Sequence, residues 1–296
     1  MVDVLTASGS VELAVLERSG MAESRHLGAA VLVDPDGSVR TALGDAGALV
    51  YPRSALKLLQ ATTVLATGVE LDDEELVLTA ASHAGTERHV AVVERLLADS
   101  GLGETALHCP FDWPLDAEAR RAAAAPRRIT MNCSGKHAGF LAACRHVGWA
   151  TDGYLDPEHP LQRAIVSTVE EFTGERVEQT GVDGCGAPVH ALTLTGLARG
   201  VGRVVAGDGR LPAAIRANPW ALDGDGRVNT VTVEQTGLIA KLGAEGVLVL
   251  AAPDGTAAAV KMLDGSSRAT TLVGLELFVR AGLLEREAAD RVLDAT

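Results

Sequence analysis

The run Tyr51-Pro-Arg-Ser-Ala-Leu-Lys-Leu-Leu-Gln60 puts a serine and a lysine three positions apart at the head of an apolar, helix-period segment. Pro52 and Ser54 suit a helix entry, and Leu56, Leu59, Val64 and Leu65 suit the helix that follows. Residues three apart on a helix are surface neighbours, so Ser54 and Lys57 are expected to project together. A serine hydroxyl becomes a good nucleophile once a neighbouring base takes its proton, and a neutral lysine can do so. The positive end of the helix dipole disfavours an ammonium there and favours a developing oxyanion. A capping serine followed by a solvated lysine has the same spelling, so the pair gains meaning only from what accompanies it.

Three further segments carry reactive side chains. Ser82-His83-Ala84-Gly85 is a small-residue junction between two helical patterns; Ser82 taken alone reads as a helix cap or a buried hydroxyl. Asn132-Cys-Ser-Gly-Lys-His-Ala-Gly139 packs a thiol, an amine and an imidazole into five residues, with Gly135 expected to free the backbone. Asp183-Gly-Cys185 is again glycine-flanked. Cys133 and Cys185 could share a zinc ion if their turns meet, with Lys136 or His137 as third ligand and Asp183 or water beyond. A lysine ligand must first lose a proton from a group of pKa roughly 10.4, so spacing alone favours two buried thiols over a metal. Lys261 falls in a strand pattern on the face of Ala257 and Ala259, where it either lines a cleft or snorkels to water.

The elements that must position these residues follow from periodicity. Residues 10–17 alternate as a half-buried strand, and strands over 26–33 and 39–43 follow, separated by a turn at Asp34-Pro-Asp-Gly37. Helical spacing covers 72–81, 87–98, 114–125 and 161–172, and an apolar helix ends near Gly148. Pro188 suits the first turn of a helix running to about Ala198, and further helices are expected at 211–217 and 233–242. Residues 247–251 and 257–263 form a hairpin pattern, and helices at 267–281 and 285–293 close the chain. The expected fold is α+β in a single catalytic domain over 1–296. A sheet lobe of about 1–50 and 245–296 is antiparallel and built from both chain ends. A largely helical lobe of about 51–244 places the Ser54 helix at the seam.

Composition narrows the partners. Hydrophobic residues make up 47% and charged residues 22% of 296 residues, as in a soluble globular protein with a large core. A formal charge of −13 argues against nucleic acid or an anionic membrane as partner. No apolar run reaches a membrane span, and the first residues lack a basic-then-apolar leader, so a cytoplasmic location is expected. There the four cysteines, Cys109, Cys133, Cys144 and Cys185, are expected to be reduced.

The strings YPRSALK, ASHAG, NCSGKHAGFL, DGCGAPVHAL, KLGAEGV and VKMLDG, in this order from about residue 12 to residue 280, resemble the Rhizobium etli-type asparaginases, the asparaginase II family. The long string NCSGKHAG is the most specific of the set. The resemblance implies a fold like that of the serine β-lactamases and penicillin-binding proteins, and hydrolysis of L-asparagine to L-aspartate and ammonia. It implies two serine–lysine pairs, Ser54 with Lys57 as nucleophile and base, and Ser82 with Lys261. Arg53, His83 and Asp183 are expected to bind substrate, and Cys133, Lys136 and Cys185 to hold zinc, with Lys136 as a neutral amine. A homodimer is also implied. Leu107-His-Cys-Pro-Phe-Asp-Trp-Pro114, Asn218-Pro219 and Gly224-Asp-Gly-Arg227 depart from the family's wording. Two enzymatic alternatives are a serine-dependent glutaminase and a penicillin-recognising hydrolase. The latter's Ser-Asp-Asn and Lys-Thr-Gly strings are missing, Lys241-Leu-Gly243 being the nearest approach. A third alternative is a non-catalytic amino-acid or metal-binding protein on the same fold.

Overall fold

Strand patterns from the two ends of the chain meet in one antiparallel sheet in the computed structural model, which describes residues 3–296. Its strands are β1 (Val11–Arg18), β2 (Met21–Val33), β3 (Val39–Leu43), β8 (Ile239–Gly243), β9 (Val247–Ala251) and β10 (Ala257–Met262). The order is β1-β2-β10-β9-β8, with β3 also pairing with β2. Two small ladders stand apart: β4 (Leu49–Val50) with β7 (Leu192–Thr193), and β5 (Thr180–Val182) with β6 (Pro188–His190). Among the described residues no helix is long and apolar enough to cross a membrane.

The central strands are apolar on both faces because helices cover both. Ala29, Val31, Val33, Val249, Ala257 and Ala259 face the main core, where α7 (Leu194–Val205) lies against the sheet. Ala30, Leu32, Leu248, Leu250, Ala258 and Val260 alternate onto the opposite face, under α11 (Thr270–Arg280). There α12 (Arg286–Ala295) packs on α11 and on α10 (Val228–Thr236). The three alanines of β10 give both helices a shallow bed, and Gly274 of α11 sits so close that a β-carbon would come within 2.8 Å of Leu248 Cδ2.

The other helices build outward from α7. They are α1 (Lys57–Ala66), α2 (Asp73–Ala80), α3 (Glu87–Asp99), α4 (Ala117–Ala122), α5 (Ser134–Val147), α6 (Pro160–Thr173), α8 (Arg210–Ala217) and α9 (Pro219–Leu222). A capping box at Asp72 and Glu75 starts α2, and Gly148 in the left-handed region ends α5. Gly135, expected to free a turn, lies instead inside α5. A β-carbon there would strike the carbonyl oxygen of Leu78 in α2, so glycine sets how closely these two buried helices approach. Gly135→Ala is expected to destabilise the protein by about 2–3 kcal/mol, despite alanine's better helix propensity. Chemical denaturation measures this, and an unchanged or raised midpoint would contradict the close approach.

Three sequence expectations are corrected. Residues 188–190 form β6, not the start of a helix, which begins at Leu194 once Thr193 caps it. The helix expected over 233–242 is two elements, because Gly237 adopts φ 71° and ends α10 before β8 begins. β8 therefore joins the sheet from within the segment expected to be helical. Only 117–122 of the expected helix 114–125 is helical. β8 is also the sheet's last strand, and the 3-10 turn Arg53–Leu56 packs on it. A β-carbon on Gly243 would lie 2.5 Å from Pro52 O.

Candidate active site

Ser54 sits in that 3-10 turn, entered through Pro52 and an Arg53 held at φ 52°. A non-glycine residue in the left-handed region costs of order 1 kcal/mol or more and persists only where its surroundings hold it. Lys57 follows at the first turn of α1, fully buried. Its amine reaches inward to Ala81 O at 2.5 Å, Cys133 Sγ at 3.0 Å and Ser82 Oγ at 3.1 Å. An ammonium at this position can donate to all three acceptors. No hydrogen bond joins Lys57 to Ser54 among the described residues. The expected Ser54–Lys57 pair is thus not closed, because buried acceptors draw the amine towards Ser82.

Ser82 stands just past α2, where Ala81 turns extended, and its N–H donates to Leu222 O at 3.0 Å. Its second lysine comes from β8. Lys241 Nζ lies 2.9 Å from Ser82 Oγ and 2.9 Å from Leu242 O. Lys241 is fully buried, and burial, reinforced by the positive charge of Lys57, lowers its pKa to about 7. A neutral Lys241 amine donates to Leu242 O and keeps its lone pair for the hydroxyl proton of Ser82. The residue expected in this place, Lys261, is elsewhere. It lies in β10, two strands further from the Ser54 turn, and its amine donates to Met262 O at 2.7 Å and to Glu245 O. The Ser82–Lys261 pair is therefore replaced by Ser82–Lys241.

Ser54 and Ser82 open into one cavity of about 280 Å3, whose walls include Asn132, Asp223, Arg227, Asn229, Glu245 and Ser267. Glu245, like Arg53, has a positive φ, 61°, in the turn between β8 and β9. The expected substrate contacts divide. His83 is wholly buried: its Nδ1 accepts from the Gly85 N–H at 3.1 Å, and its Nε2–H therefore donates to Ser134 Oγ at 2.9 Å. Burial lowers its pKa well below the ordinary histidine value. His83 is a neutral structural link, with no free atom for substrate. Arg53 pairs with Asp183 at 2.6 Å, tying the Ser54 turn to the Cys185 turn, and neither side chain is among the cavity walls.

Cys133, Lys136 and Cys185 do converge behind the lysines. Lys136 Nζ lies 3.0 Å from Cys185 Sγ, and all three residues are buried. A hydrogen bond from the Cys133 thiol, and the Lys136 charge, keep the Cys185 thiol well below its ordinary pKa, while Cys133 is pushed up. Burial opposes the Lys136 ammonium, but the sulfurs of Cys185 and Cys133 outweigh it and raise its pKa. His137 Nδ1 contacts Tyr154 Oη at 2.7 Å, while its buried Nε2 has no hydrogen-bond partner. Among the described residues no three His, Cys, Asp or Glu side chains are grouped to hold a metal. The donor set here is two sulfurs and an amine, which suits a thiophilic ion once Lys136 gives up its proton.

The model of the L-asparaginase II family matches residues 14–296. The chain belongs to the L-asparaginase II family. No curated protein matches it. Solved structures of Mglu are similar at low level. The native form gives a TM-score of 0.37 at 15% identity, covering 88% of this chain and 65% of that chain. The native form in 4.3 M NaCl gives 0.39 at 15% identity, covering 86% and 61%. The chain thus spans less than two thirds of the Mglu chain in each of these two structures.

Within the asparaginase II match, the residues that sequence reasoning did not place at the site are Lys241, Asp223, Arg227 and Asn229. Two of them carried a signal. Lys241 opens the family-like string KLGAEGV, and Arg227 ends the altered string Gly224-Asp-Gly-Arg227, whereas Asp223 and Asn229 carried none.

Proposed function

We propose that this asparaginase II member hydrolyses L-asparagine to L-aspartate and ammonia by a serine–lysine mechanism. The observation that carries the reading is that the amines of Lys57 and Lys241 both reach Ser82 Oγ, and that Ser82 and Ser54 are walls of the same cavity. Ser54, whose hydroxyl has no internal partner among the described residues, attacks the side-chain amide carbon. Its proton passes to Ser82 Oγ while the proton of Ser82 moves to the neutral Lys241. Lys57 keeps its charge and stabilises negative charge on Ser82 during the transfer. The tetrahedral intermediate collapses as the leaving nitrogen takes the proton back through the same relay, releasing ammonia and an acyl-enzyme. Water, deprotonated along the same route, frees aspartate.

The direct contact between Ser82 and Lys241 favours one other assignment, in which Ser82 itself is acylated. A diazoketone analogue of asparagine, followed by peptide mass spectrometry, separates the two by locating the adduct on Ser54 or on Ser82. The reading also takes up the fold implied by resemblance, a serine β-lactamase-like layout with a helix-entry serine against an edge strand bearing a lysine.

Cys133, Lys136 and Cys185 would hold the zinc ion that the resemblance implies. Bound there, zinc would fix the Cys133 and Cys185 turns against each other rather than supply the nucleophile. The chain's own contact at this place is the 3.0 Å hydrogen bond from Lys57 to Cys133 Sγ, which holds the Lys57 amine towards Ser82.

Ammonia release from asparagine, glutamine and a chromogenic β-lactam tests the reading, with asparagine expected to dominate. Absence of turnover with asparagine, or preference for either other compound, would overturn it. Because Lys241 must be neutral to accept a proton and its pKa is about 7, kcat/KM should rise with pH through about 7 and then level. A profile flat between pH 6 and 8 would remove Lys241 as the base.

A further inference from the structure

Arg227 is the only cationic side chain among the cavity walls, and its surroundings hold it for a task. Its Nε donates to Asp223 Oδ1 at 2.6 Å, and the carboxylate of Asp223 is almost wholly buried. The second oxygen of Asp223 accepts from the backbone N–H of Asn229 at 3.2 Å and from its Nδ2 at 2.9 Å. Asn229 in turn accepts from the Leu242 N–H at 2.9 Å, beside Lys241. The guanidinium is therefore anchored through Nε to the strand that carries the proposed base. Its aliphatic stem lies over Gly224, where φ is 141° and a β-carbon would come within 2.9 Å of Arg227 Cδ and 2.8 Å of Ala84 Cβ. Neither terminal nitrogen of Arg227 has a hydrogen-bond partner among the described residues. A rigid guanidinium with one edge fixed and its other donors free is suited to grip a carboxylate.

Resting on the asparagine reading, we infer that Arg227 binds the α-carboxylate of the substrate, with Asp223 as the residue that orients it. Arg53 is a weaker claimant, because it is not a cavity wall. Recognition then depends on a free carboxylate next to the reacting side chain, which disfavours asparagine residues inside a peptide and the α-amide of asparagine.

The test compares L-asparagine with its α-carboxamide, which keeps the same side-chain amide and loses only the negative charge. Wild-type enzyme should prefer asparagine by roughly 10- to 100-fold in kcat/KM, the worth of one or two hydrogen bonds to a charged group. Arg227→Gln should remove most of that preference by raising KM for asparagine while changing kcat less than threefold. It should alter the α-carboxamide reaction less than threefold. Arg227→Lys should recover part of the loss, and Asp223→Asn should give an intermediate defect confined to asparagine. Equal wild-type activity on both substrates overturns the assignment without any variant, and so does an Arg227→Gln loss shared by both or confined to kcat. Wild-type enzyme inert towards both compounds overturns the asparagine reading and this assignment with it.

Discussion

Ser54→Ala should leave a folded protein whose turnover of asparagine falls by about 10⁴-fold or more, the scale expected when a nucleophile is removed from a set that works as a unit. The substitution takes away a partly exposed hydroxyl with no internal hydrogen bond among the described residues, so its cost in stability should lie within about 0.5 kcal/mol. Ser82→Ala should behave differently. It breaks the relay and strands the amines of Lys57 and Lys241, yet leaves Ser54 able to react slowly. Covalent labelling by the diazoketone analogue should therefore vanish in Ser54→Ala and persist, slowed, in Ser82→Ala. Substantial residual activity in Ser54→Ala, with the label on Ser82, would transfer the nucleophile to Ser82.

Lys241→Met should separate activity from stability. Removing the base should lower kcat by about 10²–10⁴-fold. Stability should move the other way. Lys241 has a pKa of about 7 in the folded protein against 10.5 ordinarily. Between pH 7 and 10.5 the unfolded chain therefore holds a proton that the folded chain does not, and stability rises with pH across that window. At pH 7 nearly the whole penalty is present, at most about 5 kcal/mol at roughly 1.4 kcal/mol per unit. Methionine removes it and loses the bonds to Ser82 and Leu242, worth about 1 kcal/mol each. A net gain of about 1–3 kcal/mol is expected at pH 7, giving way to a net loss of about 1 kcal/mol near pH 10, where the remaining penalty is smaller than the worth of the two lost bonds. Urea midpoints at the two pH values read it directly, and a variant less stable than wild type at pH 7 would show that Lys241 is not held neutral by burial.

The sheet was legible because strand-length alternating or apolar runs are set off by turn signals. β1, β3, β9 and β10 lie within about two residues of their expected positions, and β2 only begins earlier. The grouping of Cys133, Lys136 and Cys185 was implied by the family resemblance, whereas the glycine-flanked strings alone left open whether their turns meet. What stayed hidden was which lysine faces Ser82. Val233–Leu242 reads as one helix because its apolar residues fit that period, and only the left-handed Gly237 divides it. Lys261 was the lysine that the resemblance paired with Ser82, but pairing order decides the matter. β10 is central and β8 is the strand beside Arg53–Leu56. Long-range pairing of that kind leaves no local trace. Likewise, nothing in Ser-x-x-Lys spacing reveals that buried acceptors at Ala81, Ser82 and Cys133 turn the Lys57 amine away from Ser54.

β8 ends the sheet, and the turn that bears Ser54 is packed on it, with Pro52 O against Gly243. An uncovered edge strand offers its free backbone groups to any other chain, and folded proteins shield such edges. In this molecule the shield and the reactive segment are the same stretch of chain. Substitutions that loosen Pro52–Leu56 should thus favour self-association at concentrations where the intact protein stays dispersed, before the core itself gives way. Selection for solubility and selection for chemistry would then act on the same few residues, which makes this corner of the fold hard to vary for either purpose alone.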